Sequence, residues 1–321
     1  MSTSSRNKSH KTKAYSSKTA KVEIPPYLSS CVWHYYEDIW CTNIFDEKLI
    51  VQLMAEGFLP IACKKALLPK LHKERCIIRW PNFHISKSTK KKCKRWNITI
   101  NQEFDQVVKG CHSQHGESWL HPPIVKAFRA IHKKGLNGLD AMIVKNNKIN
   151  GKCPVKLFSV EIWNAESGKL VAGELGYAFG NIYTSLTGFS AEDSAGSAQL
   201  VALGTILQKA GFVMWDLGMY LEYKEKLGAH LMPRADFIEE VRKAREEAPE
   251  IILSCPEQTN IKDILQHKPD EFAIHSKKHL VTNNNTKQDI IKSDQNQGKR
   301  SRDISPTCVQ SLANKNIKKK S

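Results

Sequence analysis

The chain has 321 residues, of which 40% are hydrophobic and 25% charged, enough for one sizeable core or a core with a smaller domain. No apolar run approaches the roughly 18 residues of a membrane-spanning helix, and the N-terminus lacks the apolar segment of a secretory signal. The nine cysteines are scattered without C-x-x-C spacing, so we expect free thiols and no metal site. This composition excludes a helical membrane protein and a disulfide-rich secreted protein.

The formal net charge of +17 is unevenly distributed along the chain. Residues 1–22 carry six Lys or Arg and no acid, and residues 285–321 carry nine against three Asp. Between these ends the chain is close to neutral, except for one acid-free run whose six cations are Lys87, Lys90, Lys91, Lys92, Lys94 and Arg95. A focused cationic patch on a near-neutral body predicts a polyanionic partner that binds at one place.

Composition divides the chain into four parts. Residues 1–23 are rich in Ser and Lys, and most of 251–321 is rich in Asn, Lys and Gln, so we expect disordered basic tails there. Between the tails we expect a small α/β N-terminal domain over residues 24–100 and a second domain over residues 101–250.

Periodicity and capping residues predict the first elements. In chain order they are a helix, two strands and two further helices, over residues 46–56, 76–80, 96–100, 103–109 and 124–134. We expect Asn101 to cap the helix over 103–109 and Gly110 to end it.

From residue 157 onward the pattern changes to strand, strand, strand, helix, strand, helix. These elements cover residues 157–163, 170–179, 181–186, 190–210, 212–217 and 222–227. The order is typical of an α+β fold in which helices cover a mixed sheet.

Several strings in this region occur in a characteristic order. They include SVEIW at 159–163, LVAG at 170–173, Phe189-Ser190, Asp216, LGA at 227–229 and Pro233-Arg234, with EGFLP at 56–60, HISKS at 84–88, Trp119 and Ala127-Phe128 upstream. The ordered set resembles the leucyl/phenylalanyl-tRNA–protein transferases over roughly residues 46–247. The resemblance implies a catalytic domain of the GNAT acyltransferase type after a small N-terminal domain. It also implies a reaction on aminoacyl-tRNA without ATP, metal or other cofactor.

The implied reaction is the aminolysis of an ester. The N-terminal amine of an acceptor protein attacks the aminoacyl carbonyl, and the terminal ribose hydroxyl of the tRNA leaves. The protein must position both substrates, remove a proton from the amine and stabilise the oxyanion. Asp216, the one acid in the apolar run 211–217, is the candidate catalytic residue and would orient the attacking ammonium or act as a base in a relay. From spacing alone, a structural carboxylate at a strand end explains Asp216 equally well.

Two departures from the better-known bacterial pattern affect this site. That pattern has a glutamine where this chain has Gly218, and a glutamate where it has Leu186. A relay that needs the glutamine cannot operate unchanged, and the preference for a basic acceptor is left open. We expect the hydroxyls of the neighbouring segment, Tyr183, Thr184, Ser185 and Thr187, to replace some of the missing polar contacts.

The resemblance also assigns binding residues. Tyr183, Phe189, Leu203 and Leu207 fall at or near positions that line the aminoacyl pocket, although ordinary core packing explains the two leucines equally well. Trp119 and Phe128 are expected to stack on the terminal adenosine or shape the entrance, the alternative being packing between the two domains. The six cations from Lys87 to Arg95 coincide with the cluster that contacts the tRNA acceptor stem.

The resulting hypothesis is an aminoacyltransferase that moves a Leu- or Phe-like group from the 3′ acceptor end of tRNA to a protein N-terminus. The modification would mark the acceptor for N-end-rule degradation. We expect a cytoplasmic monomer without membrane association, with nuclear or organellar targeting by the basic tails left open. Two alternatives remain. One is a non-catalytic tRNA- or RNA-binding relative, and the other is an acyl-CoA-dependent GNAT N-acetyltransferase, although residues 190–198 lack the glycine-rich turn that such enzymes use for pyrophosphate.

Overall fold

The computed structural model describes residues 38–145, 148–247, 251, 253–255 and 257–266. The predicted N-terminal tail and most of the predicted C-terminal tail lie outside the described residues. Every described residue belongs to one structural unit. Within this part of the chain, no helix is both long and apolar enough to cross a membrane.

The described residues form eight α-helices and eleven strands. The helices are α1 (Glu47–Ala55), α2 (Lys87–Lys92), α3 (Phe104–His115), α4 (Pro122–His132), α5 (Ala195–Ala210), α6 (Glu222–Glu225), α7 (Arg234–Glu247) and α8 (Ile261–Gln266). The strands are β1 (Leu59–Cys63), β2 (Ala66–Lys70), β3 (Glu74–Ile78), β4 (Trp96–Ile100), β5 (Leu139–Lys145), β6 (Lys148–Asn164), β7 (Leu170–Phe179), β8 (Ile182–Ser190), β9 (Met214–Asp216), β10 (His230–Pro233) and β11 (Thr259–Asn260).

Nine of the strands form one mixed sheet. Its order is β10–β3–β9–β8–β7–β6–β4–β11, and β5 pairs with the first half of β6. The pairs are antiparallel except for β8 and β9, which are parallel and joined through α5. A parallel pair needs such a crossover connection, because the chain must return to the same edge of the sheet before the second strand begins. Strands β1 and β2 form a separate hairpin.

The sheet separates two hydrophobic cores. One side of the sheet, which we call the α3 face, packs against α1, α3, α4 and α7. The other side, which we call the α5 face, packs against α5 and α8. Alternation along β7 shows the division, since Leu175 and Tyr177 point to the α3 face and Ala178 points to the α5 face. Consecutive residues of one strand therefore serve different cores.

Most of the predicted elements are confirmed. The helix over 46–56 is α1, with the Asp46 carboxylate accepting from the backbone N–H of Lys48 and Leu49. The strands over 96–100 and 170–179 have the predicted bounds, and the strand over 157–163 is the second half of the longer β6.

Two helix boundaries were predicted wrongly. The helix predicted over 103–109 continues through Gly110 to His115. Gly110 lies inside the helix against the ring of Phe189, and a β-carbon at this position would overlap that ring, so the glycine meets a packing requirement and does not end the helix. Asn101 is not its cap; it adopts a positive φ of 63°, and its side-chain oxygen accepts from Ser159 N at 3.0 Å. The helix over 190–210 begins only at Ala195, since Ser190 still pairs with Ala172 as the last residue of β8.

The structure shows how the two predicted domains are connected, but it does not test whether they are separate domains. Strands from both sides of the predicted boundary at residue 100 share the sheet, since β3 and β4 pair with β9 and β6. Whether residues 24–100 fold separately stays a prediction. Regular structure continues past the predicted domain end at residue 250. Strand β11 pairs with β4, and α8 packs against α5 through the buried Ile261 and Ile264.

Candidate active site at the separation of two parallel strands

The parallel strands β8 and β9 separate in the middle of the sheet. Their pairing ends with Thr184 opposite Asp216, after which β8 continues to Ser190 with β7 as its partner. Leu186 is an extra residue in β8, since Leu175 pairs with Thr187 and Gly176 pairs with Ser185. Such bulges redirect side chains and are common beside active sites. Residues 185–188 are half-buried, so the separation, which we call the notch, is accessible from outside.

Asp216 lies at the notch but is fully buried and accepts hydrogen bonds from three residues. Arg75 binds it through two nitrogens, with Nε 3.0 Å from Oδ1 and Nη2 2.5 Å from Oδ2. Thr184 Oγ1 donates to Oδ2 at 3.0 Å and Gly218 N donates to Oδ1 at 2.8 Å. The bidentate, charge-assisted contact between Arg75 and Asp216 fixes the end of β9 to β3.

Arg75 is equally well enclosed. Besides Asp216, it donates through Nη1 to the carbonyl of Gly57 at 3.0 Å, and its guanidinium lies 4.5 Å from the ring centroid of Phe237. Burial by itself would lower the pKa of Arg75, but the neighbouring Asp216 carboxylate outweighs burial and raises it. The Asp216 contacts are therefore those of a structural carboxylate. The catalytic role assigned to Asp216 from the sequence stays a prediction.

A second buried carboxylate, Glu174 on β7, lies on the opposite face of the sheet. Its Oε1 accepts from Ser185 Oγ at 2.8 Å and Tyr183 Oη at 3.1 Å, and its Oε2 accepts from Gln199 Nε2 at 2.5 Å. Ser185 Oγ in turn accepts from Trp215 Nε1 at 2.9 Å. Burial raises the pKa of Glu174 to about 7, against the lowering effect of these hydrogen bonds.

Glu174 was missed from the sequence, although a signal was present. It is the only acid in the apolar strand Leu170–Phe179, which is the same signal that singled out Asp216. The structure brings two predicted residues, Tyr183 and Ser185, to this carboxylate, and a third, Thr184, to Asp216.

The predicted aminoacyl pocket residues are divided between the two faces of the sheet. Phe189 belongs to the α3 face, together with Trp119 and Phe128, whose ring centroids are 6.4 Å apart in an edge-to-face arrangement. On the α5 face, Tyr183, Leu203 and Leu207 are fully buried. The sheet therefore does not bring the four predicted side chains Tyr183, Phe189, Leu203 and Leu207 into one pocket.

Of the three predicted aromatic side chains on the α3 face, two are buried. Phe128 is fully buried and Phe189 nearly so, whereas Trp119 is half-buried. Thr187, two residues before Phe189 on β8, contacts the buried thiol of Cys111. Burial raises the pKa of this thiol to about 12. A groove of about 570 Å³ lies between α3 and α4, with Asp105, Lys109, His112, Ser113, Pro122 and Arg129 among its lining residues.

The six predicted tRNA-contacting cations form one exposed surface, which we call the basic helix surface. It comprises α2 and the following turn, with Lys87, Lys90, Lys91, Lys92, Lys94 and Arg95 all exposed. Ser86 caps α2 by accepting from Thr89 N at 3.1 Å, and the buried Cys93 anchors the segment. Lys92 Nζ donates to Ser194 Oγ at 2.8 Å, which attaches this surface to the start of α5.

The fold and site combine a mixed sheet opened at one parallel pair, two buried carboxylates beside the opening, and an exposed cationic surface. Residues 77–242, just over half of the chain, match the sequence model of the family described as leucyl/phenylalanyl-tRNA protein transferase. The matched segment contains the notch, both carboxylates and the basic helix surface. The chain belongs to this family, whose members are aminoacyltransferases.

Individual relatives agree with the family match. A leucyl/phenylalanyl-tRNA–protein transferase of Rubrobacter xylanophilus is 25% identical over 200 residues, which are 61% of this chain and 93% of the relative. One of Shewanella baltica is 30% identical over 167 residues, 50% of this chain and 61% of the relative. Among solved structures, FemX aligns with a TM-score of 0.34 and 10% identity, over 60% of this chain and 70% of FemX, a likeness too distant to support a statement on the fold.

Proposed function

We propose that this protein transfers a Leu- or Phe-like aminoacyl group from the 3′ end of an aminoacyl-tRNA to the N-terminal amine of an acceptor protein, marking the acceptor for N-end-rule degradation. The observation that carries the proposal is that one family-matched segment holds both the notch with its buried carboxylates and the basic helix surface. The ester is already activated, so the reaction requires positioning, proton removal and oxyanion stabilisation rather than an external energy source.

The basic helix surface is the proposed site for the tRNA acceptor stem. Its six side chains are exposed. Lys92 donates to Ser194 at the start of α5, and the Arg95 guanidinium lies 5.0 Å from the ring centroid of Trp96. Contacts with phosphates give affinity without sequence readout and weaken as salt rises. Binding to several tRNAs with a marked salt dependence is therefore expected.

The α3 face is the proposed site of the adenosine and of the aminoacyl side chain. Trp119 is half-buried and keeps a surface on which a base can stack, whereas the fully buried Phe128 supports the tryptophan from behind. Phe189 and the half-buried Leu186 supply apolar surface on the same face. Leu203 and Leu207, at 0% exposure on the buried side of α5, serve as core in this proposal.

Asp216 retains its proposed role at the reaction centre, in a modified form. Since Asp216 is fully buried and bound by Arg75, Thr184 and Gly218, we propose that it acts through Thr184 and Gly218 by fixing both sides of the notch. We also assign the sheet to the GNAT-like acyltransferase type, which is supported by its mixed strands and the single parallel pair that α5 connects.

A single assay tests the function against both alternatives. The protein is incubated with radiolabelled Leu-, Phe- and Met-tRNA and with peptides that differ in their N-terminal residue. Transfer of label to a peptide is the expected result. Binding of tRNA without transfer would instead identify a non-catalytic RNA-binding relative, and turnover of acetyl-CoA would identify an N-acetyltransferase.

A further inference from the structure

Four carboxylates are buried in the described part of the chain, and three of them have a structural explanation. Asp216 pairs with Arg75, and Glu56 pairs with Arg245 at 2.6 Å. Glu161 accepts from the backbone N–H of Glu103 at 3.1 Å, where the chain turns into α3. The fourth is Glu174.

Glu174 differs from the other three in its partners. Among the described residues, its donors are the neutral side chains Tyr183, Ser185 and Gln199, and no lysine or arginine lies within ion-pair distance of it. No backbone N–H in this part of the chain donates to it either. Burial of a carboxylate without a cation or backbone donor is destabilising, so its presence points to a role in function rather than in folding.

The position of Glu174 connects it to the notch through one side chain. Ser185 is the first residue of β8 beyond the last β8–β9 pair, and it is half-buried. Its hydroxyl donates to Glu174 Oε1 at 2.8 Å and accepts from Trp215 Nε1 at 2.9 Å. A serine oxygen has one hydrogen and two lone pairs, so with Glu174 ionised a single accepting lone pair remains.

We propose that Glu174 is a positioning residue that holds Ser185 as a hydrogen-bond acceptor for the attacking amine of the acceptor protein. The inference rests on the proposed function, since an amine reaches the notch only if that reaction takes place there. An amine N–H is a donor, and it fits the remaining lone pair of Ser185. The carboxylate strengthens that bond because the hydrogen of Ser185 is already directed to a negative charge.

Protonation of Glu174 would reverse this arrangement. A protonated carboxyl can donate to Ser185, whose own hydrogen is then free to turn toward the notch and oppose the amine N–H. The titratable groups that interact electrostatically with Glu174 are Tyr183 on β8, Tyr223 and Lys224 on α6 and, from the other face of the sheet, Cys111 on α3. Gln199, its partner on α5, does not titrate. Burial raises the pKa of Glu174 to about 7 although Lys224 opposes the shift, so the reversal falls close to neutral pH.

The test is the pH dependence of transfer in wild type and in Glu174→Gln. With Leu-tRNA saturating, kcat/KM for an acceptor peptide is measured from about pH 5.5 to about pH 9, a range that spans the titration of an α-amine near 7.7–8.0. Wild type requires both a neutral amine and an ionised Glu174, so a plot of log kcat/KM against pH should approach a slope of about 2 at its acid end. E174Q cannot ionise at this position and should show a slope of about 1, with a loss of about tenfold above pH 8 that narrows as pH falls.

Two further variants separate positioning from folding. Glu161→Gln removes another buried carboxylate with neutral side-chain partners, from a strand pair away from the notch, and should retain the wild-type slope. Ser185→Ala should give a slope of about 1, and the double variant E174Q/S185A should lose no more than S185A alone. A common slope in wild type and E174Q would overturn the inference while leaving the function in place. Absence of transfer by the wild type at every pH would overturn the proposed function itself.

Discussion

The notch is bordered by two buried carboxylates, Asp216 and Glu174, whose hydrogen-bond partners differ in charge. Thr184 and Ser185 are consecutive residues of β8, and because strand side chains alternate, the first donates to Asp216 on the α3 face and the second to Glu174 on the α5 face. Asp216 is neutralised by Arg75, whereas Glu174 has neutral donors.

The difference shows how similar sequence signals lead to different chemistry. Each residue is a lone acid in an apolar strand. A bidentate arginine makes the first carboxylate part of the framework, because breaking the pair would leave a buried charge. The second carboxylate can change its protonation state near neutral pH without breaking an ion pair. We therefore expect Asp216 to maintain the shape of the notch and Glu174 to respond to pH there.

The largest effect is expected from Asp216→Ala. The substitution leaves the Arg75 guanidinium buried and unpaired, which should reduce the free energy of unfolding by about 3–5 kcal/mol. Transfer should be abolished while tRNA binding persists, because the basic helix surface is on another part of the fold. Urea denaturation measures the first effect, and transfer and filter-binding assays measure the second.

The double variant Arg75→Leu/Asp216→Leu distinguishes the framework role from a direct role. It removes both charges together and should recover much of the lost stability, since no charge is left unpaired. If transfer stays absent in the stable double variant, the carboxylate itself is required at the reaction centre. Recovery of transfer would show that Asp216 serves only to hold β9 against β3.

Charge reversal on the basic helix surface should give the next largest effect. Lys90→Glu/Lys91→Glu should weaken tRNA binding by about tenfold or more at moderate salt and reduce the slope of log affinity against log salt by about 1–2. Lys148→Glu/Lys152→Glu is the matched control, since it changes the net charge equally on exposed residues of β6. Equal losses in the two variants would mean that net charge, rather than this surface, binds the tRNA.

Much of the fold could be predicted because its signals are local. Helix α1 combines helical periodicity with an Asp46 cap, and β7 is a ten-residue apolar run between turn residues. The order of strands could not be predicted, because β3 and β10 join the sheet through pairing with residues far away in sequence. Gly110 illustrates the same limit: it was taken as a helix end, but contact with Phe189, distant in sequence, keeps it within α3.

The site was predicted in part for a similar reason. The basic run and the acid of β9 are visible in the sequence itself, and the structure places them at an exposed helix and at the notch. Arg75 and Gln199 were missed because their importance lies in partners 141 and 25 residues away. The pocket set was divided because the bulge at Leu186 places Tyr183 and Phe189 on opposite faces, where regular alternation would place both on one face. A pattern of family positions does not show such a bulge.

Trp119→Ala should give a smaller effect that is confined to the tRNA end. Loss of a stacking surface for the terminal adenosine should weaken binding of aminoacyl-tRNA by about 1–3 kcal/mol. Trp119→Phe keeps a ring in place and should recover part of this loss. Trp163→Ala, on the half-buried end of β6, controls for the loss of an indole elsewhere. Isothermal titration with aminoacyl-tRNA provides the measurement, and an equal loss in W163A would remove the case for stacking.

The smallest effect should be the pH dependence of stability in Glu174→Gln. Burial raises the pKa of Glu174 from its ordinary 4.5 to about 7, so between these values the folded state binds more protons than the unfolded state. Stability contributed at this position is therefore present at low pH and is lost as pH rises through that window. E174Q lacks the ionisation, so its free energy of unfolding relative to wild type should increase by about 1–2 kcal/mol between pH 6 and pH 8, with the absolute offset set by the altered hydrogen bonds. Urea denaturation at the two pH values measures the change. Parallel pH dependences for the two proteins would show that Glu174 stays ionised in the folded state across this range, although its hydrogen-bond donors are neutral side chains.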